Sequence, residues 1–103
     1  MELEFLPEGA FLTVSLKGEL DHHVVGEVRK KIDFMLNLGV YDKLIIDLRG
    51  LGFMDSSGIA LVMGRVNFMR PLGGSVEIIS DKPEITRILR LADIEKYAVI
   101  REA

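Results

Sequence analysis

Leu44-Ile45-Ile46-Asp47-Leu48 and, one short loop later, Phe53-Met54-Asp55-Ser56-Ser57-Gly58-Ile59 decide how this chain folds. Lys43 to Leu48 is too apolar and too short to be a helix and reads as a buried strand. From Ile59 to Met69 the apolar residues Ile59, Val62, Met63, Val66 and Met69 recur at helical spacing, until Pro71-Leu72-Gly73-Gly74 stops the run. Asp-Ser-Ser-Gly at the junction puts two hydroxyls where a helix begins, with unpaired amide N–H groups ahead of them. The helix dipole and those N–H groups favour an anion at such a point. A serine here can carry a phosphate without disrupting the fold, which marks Ser57 as a candidate switch.

Upstream of that junction, Pro7-Glu8-Gly9 separates Leu3–Leu6 from Phe11–Lys17, and Leu12, Val14 and Leu16 alternate onto one face. The two runs predict a hairpin. Gly18 breaks the second strand, and Asp21 is placed to cap a helix beginning near His22. Val24, Val28, Ile32, Met35 and Leu36 give that helix its apolar stripe, and Gly39 ends it. Downstream, Ser75–Ile79 is the next strand, and Pro83 opens a short helix containing Ile85, Ile88, Leu89 and Leu91. Tyr97–Ile100 is a weak final strand or an extended tail. The order β-β-α-β-α-β-α-β predicts an α/β domain: a mixed sheet of four to five strands with helices packed on it, its central strands parallel and joined by right-handed crossovers. Sites in such sheets favour loops at the carboxyl ends of strands. That places Asp21 and Ser57 near each other.

Composition narrows the function classes. The 103 residues fit one domain, here 1–103, and 49% hydrophobic residues suffice for a packed core. Thirteen basic and 16 acidic side chains give a net charge of −3, the wrong sign for a nucleic-acid binder. Without cysteine there is no disulfide, thiol catalysis or cysteine-bound zinc. No run approaches the ~20 apolar residues of a membrane helix, and Met1–Phe5 does not resemble a signal peptide. The expectation is a cytoplasmic domain with no membrane partner.

Each motif also has a plainer reading. Asp and Ser are the favoured helix-capping residues, so Asp55-Ser56-Ser57-Gly58 is accounted for by a cap. Capping needs only one such side chain, however, and Gly58 leaves the serine hydroxyl uncrowded. Neither serine has the glycine spacing of a hydrolase nucleophile elbow. Asp21-His22-His23 does not make a metal site, because neighbouring helical residues point in different directions. Asp47 lacks the acidic metal cluster of a receiver-type phosphoaspartate, since Leu16-Lys17 supplies none. No phosphate-cradling G-x-x-x-x-G-K-[ST] loop is present. Met54, Met63 and Met69 read as core fillers, with Met54 also able to add a soft contact beside the serines. Catalytic residues, metal and cofactor are all expected to be absent.

Through Gly18-Glu19-Leu20-Asp21-His22-His23 and Phe53-Met54-Asp55-Ser56-Ser57-Gly58, the chain resembles the bacterial anti-sigma factor antagonists of the STAS superfamily, most of all the sporulation branch that acts on sigma factor F. The resemblance extends through Gly64-Arg65, Gly73-Gly74 and the Pro83 helix. It implies one STAS-type domain and a partner that is both serine kinase and anti-sigma factor. The second serine of D-S-S-G, Ser57 here, is then the phosphoacceptor. The unphosphorylated form binds the kinase and releases sigma, and a serine phosphatase resets the phosphorylated form. The aspartate of G-E-L-D, Asp21 here, is implied on the same docking surface. Asp21, Met54, Asp55, Ser56, Ser57 and Gly58 form the expected partner-binding rim. Two departures are visible: Val24 stands where a polar residue is common, and a C-terminal helix of some relatives is shortened or missing after Ala103. A module of a stress-response signalling complex, or a nucleotide-binding regulatory domain, are the alternative readings.

Overall fold

The computed structural model describes residues 1–103. β1 (Glu2–Glu8) and β2 (Phe11–Leu20) form the hairpin; α1 (Val25–Asn37), β3 (Lys43–Met54), α2 (Ser56–Met69), β4 (Ser75–Ser80), α3 (Pro83–Leu91) and β5 (Val99–Glu102) follow. The strands make one five-stranded sheet in the order β1-β2-β3-β4-β5, with β1 antiparallel to β2 and the other neighbours parallel. The expected α/β domain with a mixed sheet is therefore present, and the weak last segment is its fifth strand.

Parallel neighbours are joined by right-handed crossovers as a rule, and each step here moves the same way across the sheet, which puts α1, α2 and α3 on one face. Burial agrees. Leu12, Val14, Leu16, Leu44, Ile46, Leu48, Val76 and Ile78 are buried, while Thr13, Ser15, Ile45, Asp47 and Glu77 between them are partly exposed. The uncovered face carries ion pairs, Arg49–Asp47 at 2.8 Å, Arg101–Glu77 at 3.4 Å and Lys43–Glu77 at 4.0 Å.

Several element ends differ from expectation. Gly18 does not end β2. Its φ of +123° lies where other residues are strained, and it lets the strand bend while pairing resumes at Glu19↔Phe53 and Leu20↔Met54. That pairing also carries β3 past Leu48 to Met54. Gly50 allows the close approach, since a Cβ there would lie 2.7 Å from the Leu16 carbonyl oxygen. α1 starts at Val25 rather than near His22. Asp21 instead closes the turn before it, its carboxylate accepting from the N–H groups of His23 at 2.8 Å and Val24 at 3.3 Å. Leu38, right-handed, closes α1, so Gly39 is not needed as a left-handed cap. α2 begins at Ser56 and buries Leu61 with Val62, Val66 and Met69, leaving Ile59 and Met63 at the margin. In α3 the buried residues are Ile85, Thr86 and Leu89, whereas Leu91 is exposed.

Candidate functional site at the ends of β2 and β3

Extending β2 to Leu20 and β3 to Met54 brings the two loops side by side, and the Asp55 N–H donates to the Leu20 carbonyl at 3.2 Å. Asp55 then divides its carboxylate between them. Oδ1 accepts from the Ser57 N–H at 2.8 Å and caps α2; Oδ2 accepts from the His22 N–H at 3.2 Å and holds the 21–24 turn. The His22 Nδ1 lies 3.7 Å from the same oxygen. Partial burial pushes the Asp55 carboxyl up, but hydrogen bonds from Ser57 and His22 outweigh that and hold it below the usual carboxylate value. The structure thus joins Asp21 and Ser57 through Asp55, not by direct contact.

Of the expected rim, Ser56 is exposed, and Asp21, Asp55 and Ser57 are partly exposed. Met54 and Gly58 stand behind the rim: Met54 is 3% exposed, and Gly58 is buried against it. A methyl group at Gly58 would collide with the Met54 side chain and lie 3.3 Å from Leu20 Cδ2. Gly58 therefore serves helix–strand packing, a cause different from freeing the serine hydroxyl. Met54 is a core residue that shapes the rim from below and offers no soft contact of its own.

Sequence reasoning passed over two neighbours. Phe53, opposite Glu19, is a half-exposed aromatic beside the serines, and an alternating strand extended to Met54 would have placed it outward. Arg29 lines a groove of about 290 Å³ between α1 and α2 with Val25, Gly26, Ser57, Ala60 and Leu61. Its signal was the i, i+4 spacing of Val25 and Arg29, which becomes meaningful once α2 is known to face that side. Further along, Arg65 of α2 is buried and its Nε lies 3.0 Å from Asp33 Oδ1 of α1. Burial pushes the Arg65 guanidinium down and Asp33 pulls it back.

No group of three His, Cys, Asp or Glu side chains converges on a metal-sized point. The largest cavity, about 510 Å³, lies away from Ser57 between α3 and the end of β5. Its Arg90 is already paired with Glu95 and Glu102. No helix is long and apolar enough to cross a membrane.

Residues 4–102 match the STAS domain family. The chain is 34% identical over 83 residues to an anti-sigma F factor antagonist of Lysinibacillus sphaericus, covering 81% of this chain and 71% of that one. It is 30% identical over 100 residues to the anti-sigma F factor antagonist of Paenibacillus polymyxa, covering 97% and 86%. Among solved structures, the anti-sigma factor antagonist SpoIIAA superposes in its unphosphorylated form with a TM-score of 0.85 at 26% identity, covering 99% of this chain and 88% of that one. The Bacillus cell fate determinant SpoIIAA in its phosphorylated form gives 0.77 at 26%, covering 99% and 91%. The chain belongs to the STAS domain family and, within it, to the anti-sigma factor antagonists.

Proposed function

We propose that this antagonist binds an anti-sigma factor that is also its serine kinase, releases the sigma factor, and is switched off by a phosphate on Ser57. The observation that carries the reading is the Asp55-capped start of α2, which holds Ser56 and Ser57 beside the 21–24 turn. Asp21, Asp55, Ser56 and Ser57 form the docking rim, with Met54 and Gly58 supporting it from behind.

Chemically the rim suits a substrate rather than a catalyst. The Ser57 N–H is committed to Asp55, so α2 starts in one defined place with Ser57 lining a groove. In the transfer, Ser57 Oγ bonds to the γ-phosphorus of ATP held by the kinase, the bond to ADP breaks, and the hydroxyl proton passes to a base of the kinase. A phosphatase reverses the state by delivering water to the phosphorus, releasing inorganic phosphate. The phosphate adds about −1.5 to −2 charge at neutral pH. α2 tolerates that charge at its first turn. A partner surface shaped to meet a neutral hydroxyl between Asp21 and Asp55 does not.

The names of the relatives point to a sigma factor of the F type, and hence to sporulation, with the cytoplasm as the compartment where kinase and sigma factor meet. The test is intact-mass measurement after incubation with an anti-sigma F kinase and Mg-ATP. Wild type should gain one phosphoryl group and Ser57→Ala none. Ser57→Asp should bind the kinase at least about tenfold more weakly, roughly 1.4 kcal/mol. Modification of Ser57→Ala, or undiminished binding by Ser57→Asp, would sink the reading.

A further inference from the structure

Arg29 and Ser57 line the same groove, whose other walls include the small residues Gly26 and Ala60. Nothing lies within 4 Å of the point where a side chain at Gly26 would begin, so the groove is open on the α1 side. The ion pairs made by α1 are Glu27–Lys30 and Asp33–Arg65, and Arg29 belongs to neither. An exposed guanidinium without an acidic partner thus shares a cleft with the hydroxyl that receives the phosphate. A guanidinium matches two phosphate oxygens at once, and such charge-assisted pairs are about twice as strong as neutral ones.

We propose that Arg29 receives the phosphoryl group of modified Ser57 and holds it in the α1–α2 groove. The proposal rests on Ser57 being the modified residue. Charges on the other side of Ser57 favour the same direction. Asp55 and Asp21 on the loop side repel a phosphate, with His22 already drawn to Asp55 at 3.7 Å. Arg65, one turn beyond Leu61 on α2 and outside the groove, is paired with Asp33. Arg29 is the cation left to answer. The phosphorylated form then differs from the unmodified one by more than added charge, because the groove beside the docking rim is filled and Arg29 is no longer offered to a partner.

The experiment uses phosphoserine encoded at position 57 by stop-codon suppression in the full chain, which needs no kinase. His22→Gln and His23→Gln are included in every arm, so that the phosphate is followed without neighbouring imidazoles. Phosphorus NMR across pH gives the midpoint of the second phosphate ionisation, ordinarily about 6. A paired guanidinium favours the dianion, so Arg29→Ala should raise the midpoint by about half a pH unit, a threefold gain in proton affinity. Arg29→Lys should fall between, and Lys30→Ala should stay at the parent value. An Arg29→Ala protein that titrates with its parent would overturn the proposal. So would a Lys30→Ala shift as large as that of Arg29→Ala, since a diffuse field and not a pair would then be acting. Failure of any kinase to modify Ser57 would remove the switch while this titration still reported on Arg29. A silent Arg29→Ala would remove the pairing and leave the switch intact.

Discussion

Asp55 does two jobs with one carboxylate, capping α2 through Ser57 and tying down the 21–24 turn through His22. Such a residue sets the geometry of the two loops as well as the helix start, and Gly58 sets how closely that helix approaches β3. Helix propensity alone would favour alanine there by about 1 kcal/mol. Its Cβ would meet Met54, which is itself buried and has little room to give. Overpacking of that kind costs about 1–3 kcal/mol, so Gly58→Ala should destabilise by roughly 1 kcal/mol net. Gly64 in the same helix meets nothing within 4 Å, and Gly64→Ala should stabilise by up to about 1 kcal/mol. Thermal unfolding of both variants checks the sign of each. If Gly58→Ala matched Gly64→Ala, the contact with Met54 would not be what demands glycine. The acidic-hydroxyl-glycine run was legible in the sequence as a helix start. The partner that forces the glycine was not, because it depends on how closely α2 crosses the end of β3.

Between elements, the pairing of α1 with α2 turns on Arg65 and Asp33. The Arg65 side chain is 7% exposed and that of Asp33 34%, so removing either partner has unequal consequences. Arg65 Nη1 is buried without a hydrogen-bond partner, which leaves the guanidinium dependent on one carboxylate. Asp33→Ala strands a buried cation. Breaking a buried pair costs about 3–5 kcal/mol, and the partial exposure of Asp33 screens this to about 2 kcal/mol. Arg65→Met leaves only a carboxylate that water can reach and should cost less than about 1 kcal/mol. Urea unfolding should rank the two in that order; the reverse ranking would show that the pair is not the source of the cost. In the sequence, Arg65 is marked only by the family resemblance through Gly64-Arg65, and the apolar stripe of Ile59, Val62, Met63, Val66 and Met69 leaves out Leu61. A stripe drawn from hydrophobic spacing alone cannot tell which side of α2 turns to the sheet and which to α1. Strand ends failed for a related reason: Gly18 reads as a break and the apolar run stops at Leu48, yet cross-strand pairing carries β2 to Leu20 and β3 to Met54. Those extensions are what bring the two motifs together, so the site's proximity was legible from topology while its connecting atom, Asp55, was not.

For the molecule as a whole, sequential strand order and right-handed crossovers put every helix on one side. The order of elements along the chain predicts the mixed sheet and its crossovers. The same order also fits a sheet with helices on both faces, so the one-sided packing comes from the strand order. What could not be read was how the bare face would manage its charges. Burial of Asp47 and Glu77 between neighbouring strands answers that, each being 12% exposed and each paired with arginine. The hydrogen bond from Arg49 holds the Asp47 carboxyl below its usual value of 3.8, against the upward push of burial, with Arg101 adding to the lowering. Asp55 is lowered as well. A carboxylate whose value falls on folding contributes stability that is present above its unfolded value and is lost as pH drops through the folded one. Stability should therefore hold from neutrality down to about pH 4 and decline below it. Asp47→Asn keeps the shape and can still accept from Arg49 but cannot gain a proton. It should be less stable than wild type at neutral pH and converge on it as pH falls towards 3 (an order-of-magnitude window set by the ordinary aspartate value). Midpoints of urea unfolding measured at successive pH values test the convergence. Parallel acid limbs for the two proteins would move the pH sensitivity from the uncovered sheet face to other carboxylates, with the Asp55 cap the next to be substituted.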